Sequence, residues 1–324
     1  MNTSGELLVW AVCGAGKTEM LFPGLASALQ QGKRVCLATP RADVVRELKP
    51  RLQSAFPDVP IQVLYGDSPD RERNAPFIIA TTHQLLRFSN AFDVMIIDEI
   101  DAFPYYNDKS LKFASGRAAK SNAAKVYLTA TPRKLEKWRV RLKKLPAVFI
   151  ARRFHGHPLS VPTLHLIPSL TRTLKKKQLP PNVLNSISEQ QKTTRQLMIF
   201  LPTVEIVEWV QAYLSEKGIQ TEGVFAEDPD RVEKVTAFRN KKFRLMLTTT
   251  ILERGVTFPS VDVFVVDAGH TVFDEAALVQ IAGRAGRSPD DPDGDVRFFH
   301  SGKTNAMLDA RDSIMHMNKL GERR

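Results

Sequence analysis

Three short stretches combine residue types and spacings that could handle a nucleoside triphosphate. In the first, Ala11-Val12-Cys13-Gly14-Ala15-Gly16-Lys17-Thr18, small residues let backbone N–H groups close around phosphate oxygens. Lys17 offers a point charge to the outer phosphates and Thr18 a hydroxyl for Mg²⁺, so Gly14, Ala15, Gly16, Lys17, Thr18 and Glu19 are candidate nucleotide contacts. In the second, an apolar run over 94–97 ends in Asp98, Glu99 and Asp101. An acid at the C-terminal end of a parallel strand is placed to hold Mg²⁺, here Asp98, and Glu99 beside it to deprotonate water. The third stretch runs from Gln280 to Arg287. It carries Arg284 and Arg287 three positions apart, a spacing that on a helix would face both toward charge developing on a γ-phosphate. It lies far along the chain from the other two, so closure of two domains is expected to complete the site.

These groups need strands to carry them. Apolar runs at 7–12, 35–38, 61–65, 77–80, 94–97 and 126–128 alternate with amphipathic stretches such as 20–30 and 43–56. The second half repeats the theme, with runs at 197–201, 223–226, 245–247, 261–266 and 296–299 and helical patterns at 205–217 and 231–238. Buried strands alternating with helices predict an α/β chain of two parallel-sheet domains. The expected division is 1–150, a basic proline-rich connector over 151–181 with a short strand near 163–167, and 182–324, which ends in a terminal helix. Trp138 and Trp209 lie in helical patterns and are expected in the core or as caps.

Over 324 residues, 43% are hydrophobic and 25% charged, the balance of a globular protein. No apolar run is long enough to cross a bilayer and no secretory leader is apparent, so an intracellular location is expected. Two cysteines, Cys13 and Cys36, read as small core residues, and the chain is expected to hold no zinc. The formal net charge is +11. Between Lys109 and Lys177 stand 18 Lys or Arg against one acid, Glu136, so this stretch is strongly basic and the remainder is acidic. One sign sustained so long implies a polyanion, either nucleic acid or an anionic membrane surface.

Taken together, the motifs resemble superfamily 2 helicases: 14–18, Thr39-Pro40-Arg41, Thr81-Thr82-His83-Gln84, 98–101, Thr129-Ala130-Thr131-Pro132, 248–255 and 280–287. Within that superfamily the wording at 7–20, 38–45, 80–88, 96–108, 127–132 and 253–263 is similar to the ComFA family, the ATPases of bacterial DNA uptake. The PriA type of primosomal helicase is the next most similar. The resemblance implies two tandem RecA-like domains, ATP and Mg²⁺ as cofactors, and an ATP-driven translocase on single-stranded DNA. It also implies a cytoplasmic protein, peripheral at the inner face of the membrane, beside other competence proteins and the uptake channel. By position, Lys17 and Thr18 bind phosphate and metal, Asp98 and Glu99 are the metal-binding and catalytic acids, and Arg284 and Arg287 are arginine fingers. Gln280, Glu253 and Gly255 touch or sense nucleotide, and Thr129, Thr131 and Asp101 couple it to DNA. Thr39, Pro40, Arg41, Thr81, Thr82, His83, Gln84 and Thr249 fall where the superfamily meets the nucleic-acid backbone. The family carries a four-cysteine zinc module and an adenine-reading segment ahead of the phosphate loop, whereas here only thirteen residues precede Gly14. A motor core lacking that front is the expectation.

The basic stretch is expected to approach the DNA path, with Arg133 among the contacts, because backbone contacts fix position without reading sequence. Phe103 and Tyr105 directly follow the catalytic acids. Their rings could stack on bases, or could plug the loop with apolar packing. Two other functions compete: a duplex-unwinding helicase of primosome or repair type, and a nucleic-acid scaffold whose nucleotide site only switches shape.

Overall fold

The computed structural model describes residues 5–66, 68, 74–253 and 258–322. The chain divides after Ile150 into two compact units. Among the described residues the first unit holds strands β1 (Gly5–Ala11), β2 (Val35–Thr39), β3 (Ile61–Leu64), β4 (Phe77–Thr81), β5 (Phe92–Ile97), β6 (Ala119–Thr129) and β7 (Ala147–Ile150). Its helices are α1 (Lys17–Met20), α2 (Phe22–Gln30), α3 (Ala42–Ala55), α4 (Lys109–Ala118) and α5 (Lys134–Arg141). The second unit holds β8 (Thr163–Leu166), β9 (Gln196–Phe200), β10 (Glu222–Val224), β11 (Leu245–Thr248), β12 (Val261–Val266) and β13 (Val296–His300). Its helices are α6 (Leu170–Lys175), α7 (Pro181–Gln190), α8 (Val204–Glu216), α9 (Arg231–Arg239), α10 (Glu275–Ala282) and α11 (Asn305–Glu322).

The strands of the first unit lie in the order β3-β4-β2-β5-β6-β1-β7, and those of the second in the order β10-β11-β9-β12-β13-β8. Every pairing is parallel. A parallel sheet is covered on both faces, so its strands read as unbroken apolar runs, as in β2 and β12, where every residue is buried. The helices supply the covering. In α3, Val44, Val45, Leu48 and Leu52 recur at helical spacing and are buried on one face. In α8, Val207, Val210 and Leu214 do the same, and the Thr203 hydroxyl caps the helix by accepting from the Ile206 N–H.

Three expectations need correction. Residues 151–181 are not a separate connector. Strand β8 pairs with β13 at the edge of the second sheet, and Leu170 and Leu174 of α6 enter that unit's core. Prolines at 158, 162, 168, 180 and 181 bend the path without detaching it. Trp138 is not in the core: α5 buries none of its residues, and the ring is 55% exposed. Finally, α10 stops at Ala282, so Arg284 and Arg287 do not share a helix face. Cys13 and Cys36 are both buried, and burial pushes the Cys36 thiol well above its ordinary value.

Candidate active site

In open parallel sheets chemistry gathers at the C-terminal ends of the strands. Here the order of the first sheet sets the ends of β4, β2, β5, β6 and β1 side by side, and these carry Thr81, Thr39, Asp98, Thr129 and the phosphate loop. The loop leaves β1 at Ala11. Gly14 (φ 78°) and Gly16 (φ 73°) both adopt the left-handed conformation that residues with a Cβ resist, and Gly16 leads directly into α1. No side chain caps α1, so its first N–H groups are left for an anion. The Lys17 ammonium donates to the Ala11 carbonyl at 3.4 Å, a long bond that a phosphate oxygen would replace with a stronger one. Thr18 is buried beside it. Glu19 is differently engaged: its carboxylate pairs with Arg51 of α3.

Asp98 follows β5, and its backbone N–H donates to the Ala38 carbonyl at 2.8 Å. Its side chain accepts from the Glu99 N–H at 2.8 Å, with Glu99 held at φ 54°. Burial, reinforced by the Glu99 charge and opposed by Lys17, pushes the Asp98 carboxyl up to about 6. A divalent cation beside these acids would relieve that repulsion. Among the described residues no three His, Cys, Asp or Glu side chains gather to hold a metal unaided. A carboxylate at Asp98 and a hydroxyl at Thr18 would fit Mg²⁺, which keeps waters and takes phosphate oxygens as further ligands.

Asp101 is fully buried and joins two strand ends. One carboxylate oxygen accepts from the Thr129 hydroxyl at 2.6 Å and the other from the Thr131 hydroxyl. The Thr131 N–H donates to Thr129 Oγ1 at 2.9 Å, and Arg133 donates to the Asp101 carbonyl at 3.0 Å. The Arg133 guanidinium lies over the Tyr106 ring, 4.1 Å from its centroid. The segment after Asp98 and Glu99 is thus tied to the segment after β6 by bonds among buried and half-buried groups. Trp10 adds a tie that sequence reading missed, donating from Nε1 to the Ala130 carbonyl at 3.1 Å. A tryptophan one position before the end of the phosphate-loop strand was the available signal.

The other expected contacts divide by burial. Phe103 is 70% exposed, whereas Tyr105 is 5% exposed and its hydroxyl bonds Ser115 of α4 at 2.9 Å. Tyr105 is therefore a packing residue and not a stacking platform, because the apolar side of α4 needs a ring to cover it. The side chains of Thr39 and Thr82 are wholly buried, and Pro40 and Thr81 are buried too, so direct side-chain contact with DNA is withdrawn for these four. His83 is exposed, and Arg41, Gln84 and Thr249 are half-buried.

In the second unit Gln280 is buried within α10, and the chain then turns through 283–287. Arg284 is 2% exposed and donates from Nε to the Glu253 carbonyl at 3.0 Å. Arg287 is half-buried and donates from Nε to the Gly283 carbonyl at 2.9 Å. Gly255 lies outside the described residues.

Comparison with known proteins fits this arrangement. Residues 2–134 match the family described as Type III restriction enzyme, res subunit, and residues 176–289 match the Helicase conserved C-terminal domain. The Competence protein ComFA of Bacillus subtilis (strain 168) is 51% identical over 97% of this chain and 68% of its own length. That of Streptococcus pneumoniae (strain ATCC BAA-255 / R6) is 43% identical over 96% of this chain and 72% of its own. Among solved structures, S. cerevisiae Dbp5 bound to RNA and ADP BeF3 superposes with a TM-score of 0.70 at 15% identity, covering 97% of this chain and 83% of that one. Mycobacterium smegmatis helicase Lhr bound to ssDNA and AMP-PNP gives 0.69 at 17% identity, covering 99% of this chain and 46% of that one. At such identities the two structures establish the fold alone, two tandem α/β units built on parallel sheets.

Proposed function

The chain belongs to the ComFA family of competence proteins, and from that premise we propose that it is an ATP-driven translocase on single-stranded DNA acting in DNA uptake. The protein is an ATP-hydrolysing, superfamily 2 helicase-like enzyme. The step from ATPase to translocase rests on one observation, the bonding of Asp101 to Thr129, Thr131 and Arg133. Asp101 stands two positions after Glu99, so a change at the hydrolysing acid would reach Thr131 through a buried carboxylate bond and Arg133 through a half-buried bond to the Asp101 carbonyl. Arg133 and the exposed ring of Phe103 are the groups we assign to the strand. Lys17, Thr18 and Asp98 hold MgATP, Glu99 activates water, and Arg284 and Arg287 supply positive charge to the γ-phosphate. When bound, Mg²⁺ neutralises phosphate charge and orients the nucleotide.

We also place the protein at the cytoplasmic side of the membrane, beside other competence proteins. No described helix is long and apolar enough to cross a membrane. Support for peripheral docking comes from the outer face of α5 and its C-cap, where Leu135, Trp138 and Leu142 are exposed at helical spacing. Lys134, Arg141, Lys143 and Lys144 are exposed around them.

Steady-state ATPase with and without single-stranded DNA tests the reading. We expect stimulation by DNA, and in Lys17→Ala a loss of kcat of about 100-fold or more. Hydrolysis that DNA leaves unchanged would sink the translocase reading. Strand displacement from a duplex would favour the unwinding helicase. DNA binding without hydrolysis would favour the scaffold.

A further inference from the structure

Arg153 stands just past the boundary between the two units, in a stretch where every neighbouring charge is basic, yet it is 2% exposed. A guanidinium withdrawn that far from water needs strong acceptors. One of them is the carbonyl of Gly286, to which Arg153 Nη1 donates. Gly286 lies between Arg284 and Arg287.

The turn at Gly286 needs such a clamp. After α10 the chain makes two tight backbone bonds, from Arg284 N–H to Ile281 O and from Ala285 N–H to Ala282 O. Gly286 then enters the left-handed region at φ 60°. A Cβ there would collide with the Pro292 carbonyl and stand 3.2 Å from Arg153 Nη1. Gly294 presses on the same place: its Cβ, if it had one, would lie 2.6 Å from the Gly286 nitrogen. The turn is thus packed tightly by backbone, and Arg153 adds a charged side-chain bond to the 286 carbonyl, with His155 also facing it.

The path leading to Arg153 is anchored as well. Three positions earlier, the Ile150 carbonyl accepts from the Val12 N–H at 3.0 Å, where the phosphate loop leaves β1. Arg152 donates to the Gly321 carbonyl of α11 at 2.6 Å.

We propose that Arg153 is a positioning residue for ATP hydrolysis, holding the 283–287 turn so that Arg287 and Arg284 present their charge to the nucleotide. The proposal rests on the reading of that turn as the source of the arginine fingers. Such a residue acts on the transition state and leaves ground-state binding alone.

The test is a double-mutant cycle in the whole chain, followed by steady-state ATPase and fluorescent-ATP affinity. Arg153→Gln is expected to lower kcat about tenfold, with KM and nucleotide affinity within about twofold of wild type. Arg287→Lys is expected to lower kcat too, and adding Arg153→Gln to it is expected to lower kcat no further. Multiplicative losses, a raised KM or an unaltered kcat in Arg153→Gln would overturn the proposal. Full activity in Arg287→Lys would sink the finger reading and the proposal with it. A crippled Arg287→Lys beside a fully active Arg153→Gln would sink the proposal alone. If Arg153→Gln unfolds, Arg153→Lys replaces the planar fork that reaches the 286 carbonyl with a point ammonium of different reach and geometry. It is expected to lose kcat at constant KM, and an unchanged kcat there is equally fatal.

Discussion

Phe103 and Tyr105 stand two positions apart, and the loop after the catalytic acids sends one ring into solvent and the other under α4. Their substitutions should separate cleanly. Tyr105→Phe removes the bond to Ser115, whose hydroxyl still donates to the Lys112 carbonyl at 2.8 Å. The expected loss is about 1 kcal/mol of stability, with DNA affinity unchanged. Phe103→Ala should leave the melting temperature where it is and weaken single-stranded DNA binding roughly 5- to 100-fold, the range for one lost stacking contact. Fluorescence anisotropy on both variants decides. Equal affinity in Phe103→Ala and wild type removes the ring from the DNA path. The same residue-level logic places Asp101: a fully buried carboxylate is tolerated because two hydroxyls satisfy it, and that demand fixes Thr129 and Thr131 in place.

Among the described helices, α5 is the one that buries none of its residues. Its attachment runs through Glu6 of β1, which pairs with Arg139 and accepts from the Tyr127 hydroxyl at 3.0 Å. Burial alone would raise the Glu6 carboxyl, but the bonds from Arg139 and Tyr127 and the charges of Arg139 and Lys125 outweigh it and hold it below the ordinary value. A carboxyl depressed in the folded state stabilises above its unfolded value and loses that contribution as pH falls through the folded one. Glu6→Gln should therefore cost about 0.5–1 kcal/mol near neutral pH, the pair being partly solvated. The deficit should shrink toward zero as pH falls below the ordinary carboxylate range, read from urea midpoints at neutral and acid pH. A deficit independent of pH would mean that Glu6 acts by packing alone. What was legible in the sequence follows the same physics. Strands buried on both faces announce themselves as apolar runs, so the sheets and the acids at the end of β5 could be placed in advance. Edge strand β7 is only partly buried and does not stand out, and the helical pattern at Trp138 does not show that α5 buries none of its residues. The three-residue spacing of Arg284 and Arg287 suggests helix and does not reveal the left-handed glycine at 286 that makes the segment a turn. Arg153 is one of many bases in the 109–177 stretch, and burial beside a carbonyl distant in sequence leaves no local mark.

For the molecule as a whole, the excess of positive charge is less uniform than its place in the sequence implies. Arg153 is buried, Arg139 is paired with Glu6 and Lys120 with Asp93, so these do not project free charge. Lys109, Lys112, Arg117, Lys134, Arg141, Lys143 and Lys144 are exposed in the first unit, and Arg152, Arg172, Lys175, Lys176 and Lys177 in the second. Divided this way, only some can meet one strand at once. If about five phosphates are neutralised, the logarithm of DNA affinity should fall with the logarithm of salt at a slope near −3.5. Between about 50 and 200 mM salt that is a loss of about 100-fold in affinity. The DNA concentration giving half-maximal ATPase should climb with it, while the rate without DNA changes little. A slope close to zero would move the basic surface away from nucleic acid. It would leave anionic lipid as its counterpart, and DNA contact would then rest on uncharged groups alone.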